Sequence, residues 1–560
     1  MRRWRWLALG TLWLCFLARG LFYSSVIPLW EGWDEYAHFA CVQQLALRHA
    51  LPRQTDVMSE EIDRSLQLVP VSRSVAHEDP TLATHDTWWQ LPAQERQRRE
   101  ERLRRLDPAL AGVAAASGRQ QYEAQQPPLA YTLLAPVYWL TRNQPLLVRA
   151  WTLRLFDVLI AALCIPLAYA IVLEVSRGVK WALLAAALVA SFPEFLLSAS
   201  RVSNESVASV LGGLVLLLTL RLLAKPAPRW RDAAVLGAAL GLALLAKAYF
   251  LSLLPAVALV LVLPLPHGRR SEPQPFSSRA RRRPAALGSV LVVAGVIAGW
   301  WYWRNWLATG AVSGVGVDAQ ARALGTGGFL AAAAKLSWWH VLDGMIVTHA
   351  WCANWSFLMV RSWMYRVYAA GAAILLAAVV VEVARKRPGS EDVRRGALVA
   401  AIFWAAVVGA LLYHSVILFR LTGDAIGIAW YLYGMVAAEA TLAAIAFRRL
   451  ALIRAGGLAA PAAVVGLTLL DFFDAHCYML PYYAGMLRRS ASGALRAFDL
   501  RTADGATVDR LFANLAVNKP AFIGAGALRW FWVAYVLAAI LTVAVAILVA
   551  SRREEEPAGR

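Results

Sequence analysis

The strongest constraint on this chain is the recurrence of continuous apolar runs about twenty residues long, separated by short segments rich in arginine. A helix rising about 1.5 Å per residue crosses the hydrocarbon layer of a bilayer in one such run. The first, Trp6 to Ile27, holds a single charge, Arg19, and follows the basic start Met1-Arg2-Arg3-Trp4-Arg5. Of the 560 residues 59% are hydrophobic and only 16% charged, so the expected fold class is an all-α polytopic membrane protein. A signal peptide is the rival reading of the first run, but the run is too long and no small-residue cleavage site follows it.

The net charge of +20 would suggest nucleic acid in a soluble protein, yet here the basic residues lie between apolar runs and act as topology signals. The five cysteines, Cys15, Cys41, Cys164, Cys352 and Cys477, show no CxxC spacing, so neither zinc nor a disulfide framework is indicated. Cys352 and Cys477 could pair if both faced an oxidising compartment, though nothing in their spacing requires it.

Further spans are expected near 152–176, 181–200, 203–223, 232–247, 249–266, 286–303, 368–385, 397–417, 429–447, 456–474 and 528–551, which with the first makes about twelve (11–13). The apolar piece ending at Leu140 reads as an interfacial helix; if it crossed, every later basic loop would lie outside. With that choice Arg177 and Lys180, Arg229 and Arg231, Arg269 to Arg283, Arg385 to Arg395, Arg448 and Arg449, and Arg552 and Arg553 share one side, the cytoplasmic one, with both termini. The expected organisation is a first transmembrane helix (1–28), a long external loop with an acidic motif and juxtamembrane helices (29–150), a transmembrane core (151–303), an external aromatic-rich loop (304–367), further spans (368–474), another external loop (475–527), and a last span with a cytoplasmic tail (528–560). Within the first loop, Glu95 to Arg105 reads as a solvated helix. The loop itself reads as a plain surface segment or as a lid over Asp34 and Glu35. The many external tryptophans suit an aromatic belt, with a shelf for a lipid or sugar as the alternative for a few.

This topology gathers polar residues at external span ends: Asp34, Glu35, His38, Gln126, Arg201, Asn204, Glu205, Lys247, Tyr249, Arg304, Asn305, His340, His349, Arg420, Asp471 and Asp474. Ionisable groups beside hydrocarbon are costly, so their accumulation on one face is informative. Taken alone, Asp34 is equally consistent with a helix end at the interface.

The acidic pair in Trp33-Asp34-Glu35-Tyr36-Ala37-His38-Phe39, followed by a long loop closing on Gln126-Pro127-Pro128-Leu129-Ala130-Tyr131, resembles the GT-C superfamily of integral-membrane glycosyltransferases. Protein O-mannosyltransferases and the transferases that add aminoarabinose to lipid A belong to it. Further similarity runs through Arg154-Leu155-Phe156, Pro193 to Glu205, Gly237 to Lys247 and Trp300 to Asn305. The resemblance implies transfer of a sugar from a polyprenyl-phosphate carrier to a lipid, glycan or protein acceptor on the external face, with inversion. It implies Asp34 as general base and Glu35 as a residue that orients the acceptor or helps hold a divalent cation, although no metal is required by the sequence. Fixed cations for the departing phosphate would be drawn from Arg201, Lys247, Arg304 and Arg420, with His38, Gln126 and Glu205 also contacting substrate.

Two departures stand out. Gln126 occupies a position where some relatives carry lysine or histidine, so it offers a hydrogen bond but no charge. The segment Gly427 to Met435 lacks the arginine of the family's "GRYLLP"-like element, and Arg420 is the candidate substitute. His38 could bind metal with Asp34, but without a third ligand a hydrogen-bonded interfacial histidine is the plainer reading. Glu439, inside an apolar run, is expected to have a structural partner; Asp471 and Asp474 are expected to end their span. The expected location is the bacterial inner (plasma) membrane. A transporter or flippase of an amphipathic lipid is the alternative class; it would bring internal repeats and mid-membrane charge pairs, and no repeat is visible. A noncatalytic protein retaining the fold is a third.

Overall fold

The computed structural model describes residues 2–225, 228–266, 276–325, 327–385, 390–453, 456–490 and 493–552. Regular structure among them is helical, with only isolated bridges such as Val57 to Gln120 in place of a sheet. Among the described residues nine helices are long and apolar enough to cross a membrane: Arg3–Val26, Leu146–Ser176, Glu205–Ala224, Pro284–Thr309, Ser362–Ala384, Glu391–Thr422, Trp430–Leu450, Gly456–Tyr483 and Ala525–Ser551. The pair Val179–Val189 and Pro193–Ala199, bent by 63°, brings the number to ten if it is one span. The break falls where Phe192 precedes Pro193, and a residue before proline is driven out of the helical region.

Nine to ten such helices are roughly consistent with the expected count of about twelve (11–13). The stretches 232–247 and 249–266 form the helices Trp230–Ala246, of 17 residues, and Ala248–Val262, below the length of the full spans. Extended backbone at Lys247 (φ −153°) separates them. Leu129–Thr141 is also a short apolar helix, in keeping with an interfacial rather than a crossing segment.

Contacts between loops define two ends of the bundle. At one, Arg177 pairs with Asp392, Lys180 donates to the carbonyls of Ala550 and Arg552, and the Arg552 guanidinium lies over Trp4. At the other, the segments following the first span, the 310–361 region and the 475–524 region interlock. Trp89 Nε1 donates to Tyr483 O, Gln125 Oε1 accepts from Gly316 N, and Arg489 donates to the carbonyl of Ser356. Of the clusters expected on one side, Arg177, Lys180 and Arg552 share contacts at the first end; Arg269 to Arg283, Arg385 to Arg395 and Arg553 fall wholly or partly outside the described residues.

The 29–150 segment builds its own small core from Trp30, Phe39, Ile62, Leu66, Leu134 and Tyr138, all fully buried. Arg149 locks it by a buried ion pair with Glu61, whose Oε2 also accepts from Gln43. As expected, Ala93–Arg104 is a largely solvated helix, held by i,i+4 pairs such as Arg99 with Glu95. Of the tryptophans assigned to a belt, Trp303, Trp339 and Trp363 are exposed, whereas Trp301 and Trp351 are core residues. All five cysteines are free and buried, so Cys352 and Cys477 are not bridged.

Asp471 does more than end its span. It is fully buried, and its carboxylate accepts from Arg19 (2.8 Å), Tyr23 (2.6 Å) and Tyr535 (2.6 Å), tying the first, penultimate and last spans together. Removing one partner of such a pair leaves an uncompensated buried charge, a loss of about 3–5 kcal/mol. Asp471→Asn is therefore expected to lower the melting temperature in detergent well beyond the change given by an exposed substitution such as Asp509→Asn.

Candidate functional site

The turn Trp30-Glu31-Gly32-Trp33-Asp34 joins the first span to the helix Glu35–Arg48, and its backbone is unusual. Trp30 (φ 67°) and Asp34 (φ 52°) are both left-handed, a conformation that costs a side-chain-bearing residue about 1–3 kcal/mol and persists only where the surroundings enforce it. Gly32 makes the turn possible, because a Cβ there would stand 2.7 Å from the Arg201 Cβ. Asp34 is the N-cap residue, and aspartate there ordinarily caps its own helix with its carboxylate. Here the left-handed backbone prevents that, and no side-chain cap bond forms. The carboxylate is turned out of the helix and accepts from the Tyr122 hydroxyl at 2.7 Å.

Its neighbour has a different environment. Glu35 is fully buried, and both carboxylate oxygens receive Arg154 N–H groups at 2.6 Å; Oε1 also accepts from Val202 N at 3.1 Å. Arg154 spends its remaining donors on the carbonyls of Ser24, Ile27 and Pro28. Glu35 is thus committed to a closed ion pair that fastens the turn to the Leu146–Ser176 span. Of the acidic pair, Asp34 alone is partly accessible.

Around Asp34 stand groups from distant parts of the chain. Lys247 donates to Asn204 Oδ1 (2.5 Å) and Glu205 Oε1 (2.6 Å) and lies 5.0 Å over the Tyr431 ring. Glu205 Oε2 accepts from Tyr249 at 3.4 Å. Arg201, buried, donates to Asn354 Oδ1 at 3.1 Å, while its Nε has no hydrogen-bond partner and no acidic side chain lies within ion-pair distance among the described residues. A buried guanidinium so thinly satisfied is costly by itself and is ready to receive an anion. Asn354 sits in a contorted loop in which Ala353, Asn354 and Phe357 all have positive φ. Glu194 braces that loop by accepting from Cys352 N at 3.0 Å. Trp33 stacks on Trp430 at 4.0 Å and meets Trp355 and Phe357 at 4.8 Å, making an aromatic wall beside the turn.

Glu123 is the residue that sequence reasoning missed. Burial pushes its carboxyl up to about 8, with the Asp34 charge adding to the rise and Lys247 opposing it. His38 Nδ1 lies 3.7 Å from Glu123 Oε2 and 2.8 Å from the Tyr131 hydroxyl. Burial, with Lys247 and Arg201 nearby, holds this imidazole well below its ordinary value, so it is neutral at pH 7 and its contact with Glu123 is not an ion pair. Among the described residues no group of three or more His, Cys, Asp or Glu side chains is arranged to hold a metal ion.

Of the sequence candidates, the structure brings Asp34, Glu35, His38, Gln126, Arg201, Glu205 and Lys247 into one neighbourhood; Gln126 reaches Glu123 through its side chain. Arg304 and Arg420 stand apart from it. Arg304 packs 4.7 Å over Trp301 and feels the charge of Arg53. Arg420 donates to the carbonyls of Leu324 and Gly325, closing the end of the Gly316–Ala323 helix. Glu439 has structural partners, accepting from Trp404 Nε1 at 2.9 Å and lying 3.1 Å from His349 Nε2. The only sequence signal for Glu123 was its position four residues before the Pro-Pro element. Asn354 and Tyr431 gave none.

Comparison with known proteins gives three findings. A family model described as "Predicted membrane protein (DUF2142)" matches residues 16–429. No curated protein matches the sequence. Among solved structures, the chain is similar to ArnT from Cupriavidus metallidurans bound to undecaprenyl phosphate, at 13% identity and a TM-score of 0.46, covering 98% of this chain and 76% of that one. It is also similar to the oligosaccharyltransferase AglB from Archaeoglobus fulgidus in complex with an inhibitory peptide and a dolichol-phosphate, at 14% identity and a TM-score of 0.46, covering 93% of this chain and 65% of that one.

The two members of the acidic pair are expected to separate by experiment. Glu35→Gln leaves Arg154 buried without its counter-charge and should destabilise the protein by about 3–5 kcal/mol. Asp34→Asn should leave the melting temperature within about 2 °C of wild type, since a hydrogen-bonded amide replaces a partly accessible carboxylate. Equal losses from both would contradict the assignment of Glu35 as structural.

Proposed function

We propose that this chain, which belongs to the family described as Predicted membrane protein (DUF2142), is a membrane glycosyltransferase that moves a sugar from a polyprenyl-phosphate carrier to a hydroxyl acceptor. The observation that carries this reading is that Asp34, turned out of its helix beside the end of a span, and the buried guanidinium of Arg201, whose Nε has no hydrogen-bond partner, both lie within electrostatic reach of Tyr431. The resemblance of the acidic pair and the Pro-Pro element to GT-C glycosyltransferases supports it.

In this mechanism the acceptor oxygen attacks the anomeric carbon while the bond from that carbon to the carrier phosphate breaks. Asp34 takes the acceptor proton, and the electron pair leaves with the phosphate. One displacement by one hydroxyl inverts the configuration. The phosphate gathers negative charge as it departs, and Arg201 with the remaining Lys247 N–H meets it. Gln126 contributes a hydrogen bond. The carrier's prenyl tail lies among the apolar spans. The arginine-rich end faces the cytoplasm with both termini, and the Asp34 end faces the periplasmic side of a bacterial inner membrane.

The test uses purified wild type, Asp34→Asn and Arg201→Gln proteins in detergent with a panel of polyprenyl-phosphate sugars, reading carrier binding and release of prenyl phosphate. Asp34→Asn should bind carrier normally and lose about 10²–10⁴-fold in release, the span of general-base contributions. Arg201→Gln should weaken carrier binding as well as slow release. Full activity in a folded Asp34→Asn protein would sink the proposal. Binding without release by any wild-type preparation would favour a noncatalytic carrier-binding protein.

A further inference from the structure

The transfer site holds a second carboxyl that the mechanism above does not use. Glu123 lies on the short helical turn Tyr122–Gln125, only 5% exposed, within electrostatic reach of both Asp34 and Lys247. Its surroundings differ on its two sides. From the strained turn it faces the Asp34 carboxylate; its own turn presents Tyr122, which donates to Asp34, and the amides of Gln125 and Gln126. The helix Glu35–Arg48 presents Tyr36, the neutral His38 imidazole and the Cys41 thiol, and the Leu129–Thr141 helix presents Tyr131. Beyond them lie Lys247, already paired with Glu205, and Tyr431, which is within electrostatic reach of Asp34, Glu123, Glu205 and Arg201.

This arrangement poses a charge problem. Among the groups just described, Lys247 is neutralised by Glu205 and Arg201 is the other fixed cation, so a second ionised carboxylate beside Asp34 at the buried Glu123 position is costly. Gln126 adds no charge against the second negative charge that appears on the leaving phosphate. A proton held on Glu123 resolves both difficulties.

We propose that Glu123 is the proton-carrying partner of Asp34: neutral in the resting site, it protonates the departing phosphate and then recovers the proton that Asp34 takes from the acceptor. This inference rests on the transferase reading. The bookkeeping of the step is closed. The acceptor O–H bond breaks as an Asp34 O–H bond forms; the bond from the anomeric carbon to phosphate breaks as the glycosidic bond forms. The Glu123 O–H bond breaks as a phosphate O–H bond forms. Transfer from Asp34 to Glu123 then restores the starting state, and the net proton has moved from acceptor to phosphate with no outside reagent.

The sign of the pH dependence follows. A carboxyl lifted to about 8 keeps its proton below that pH and loses it above, so turnover should fall on the alkaline side of pH 8. The experiment compares wild type, Glu123→Gln and Glu123→Asp between pH 6 and 10. Glu123→Gln keeps the shape and the neutrality but has no proton to give. It should lose on the order of 10²-fold in kcat with the KM for carrier nearly unchanged, and its residual activity should lack the alkaline fall. Glu123→Asp should recover part of the rate. A purely structural role would leave the pH profile of any surviving activity intact. Infrared difference spectra on the same proteins provide a readout free of turnover. Wild type should show a protonated-carboxyl band that titrates near pH 8, is missing in Glu123→Gln, and titrates lower in Asp34→Asn. Wild-type kcat and profile in Glu123→Gln, or the absence of that band from wild type, would overturn the proposal. If wild type transfers nothing, the transferase reading fails on its own, and the band still decides whether Glu123 holds the proton.

Discussion

The closed pair of Arg154 and Glu35 is the interaction on which the rest of the site depends. Five N–H bonds from one guanidinium reach two carboxylate oxygens and three backbone carbonyls, so the end of the first span, the turn after it and the Leu146–Ser176 span are held as one piece. Only such a clamp can keep two consecutive left-handed bends at Trp30 and Asp34, neither of them glycine. The clamp also explains why two adjacent acids have opposite fates. Glu35 is drawn into the protein by Arg154, while the left-handed backbone at Asp34 turns its carboxylate out of the helix toward Tyr122.

Strain recurs at the facing loop. Ala353, Asn354 and Phe357 are left-handed as well, and Glu194 accepts from the backbone of Cys352 to hold them there. The two strained segments meet through the wall of Trp33, Trp355, Phe357 and Trp430. Neither could keep its shape alone in water. Each is stiffened by packing on the other, which is how a site formed from loops acquires the rigidity usually supplied by helices.

The membrane architecture was legible in the sequence because its cause is local: length and apolarity of each run, and the side on which arginine falls. Trp230–Ala246 and Ala248–Val262 are shorter than the other expected spans because one extended residue, Lys247, divides an otherwise apolar stretch, and hydropathy does not register a backbone break. The neighbourhood of Asp34, Gln126, Arg201, Glu205 and Lys247 was legible through the GT-C resemblance. Glu123 was not, because its significance lies in burial beside Asp34, a property of the fold rather than of spacing. Arg304 and Arg420 looked equivalent to Arg201 in the sequence; what separates them is place, since Arg304 lies over Trp301 and Arg420 donates to the carbonyls of Leu324 and Gly325, apart from the groups around Asp34.

The bond network of Arg19 with Asp471 and Tyr535 bears on how the chain is made. A lone arginine in an inserted helix costs about 2.5–3.5 kcal/mol, and the first span emerges from the ribosome more than four hundred residues before the Asp471 carboxylate that neutralises Arg19, although the Ala190 carbonyl that also accepts from it comes earlier. Throughout synthesis that span is a poor membrane helix awaiting its partners. The order of insertion and the order of packing are therefore reversed for this element: the first span enters earliest and is among the last to be secured, which makes it the natural point of engagement for insertion chaperones and for quality control of truncated chains.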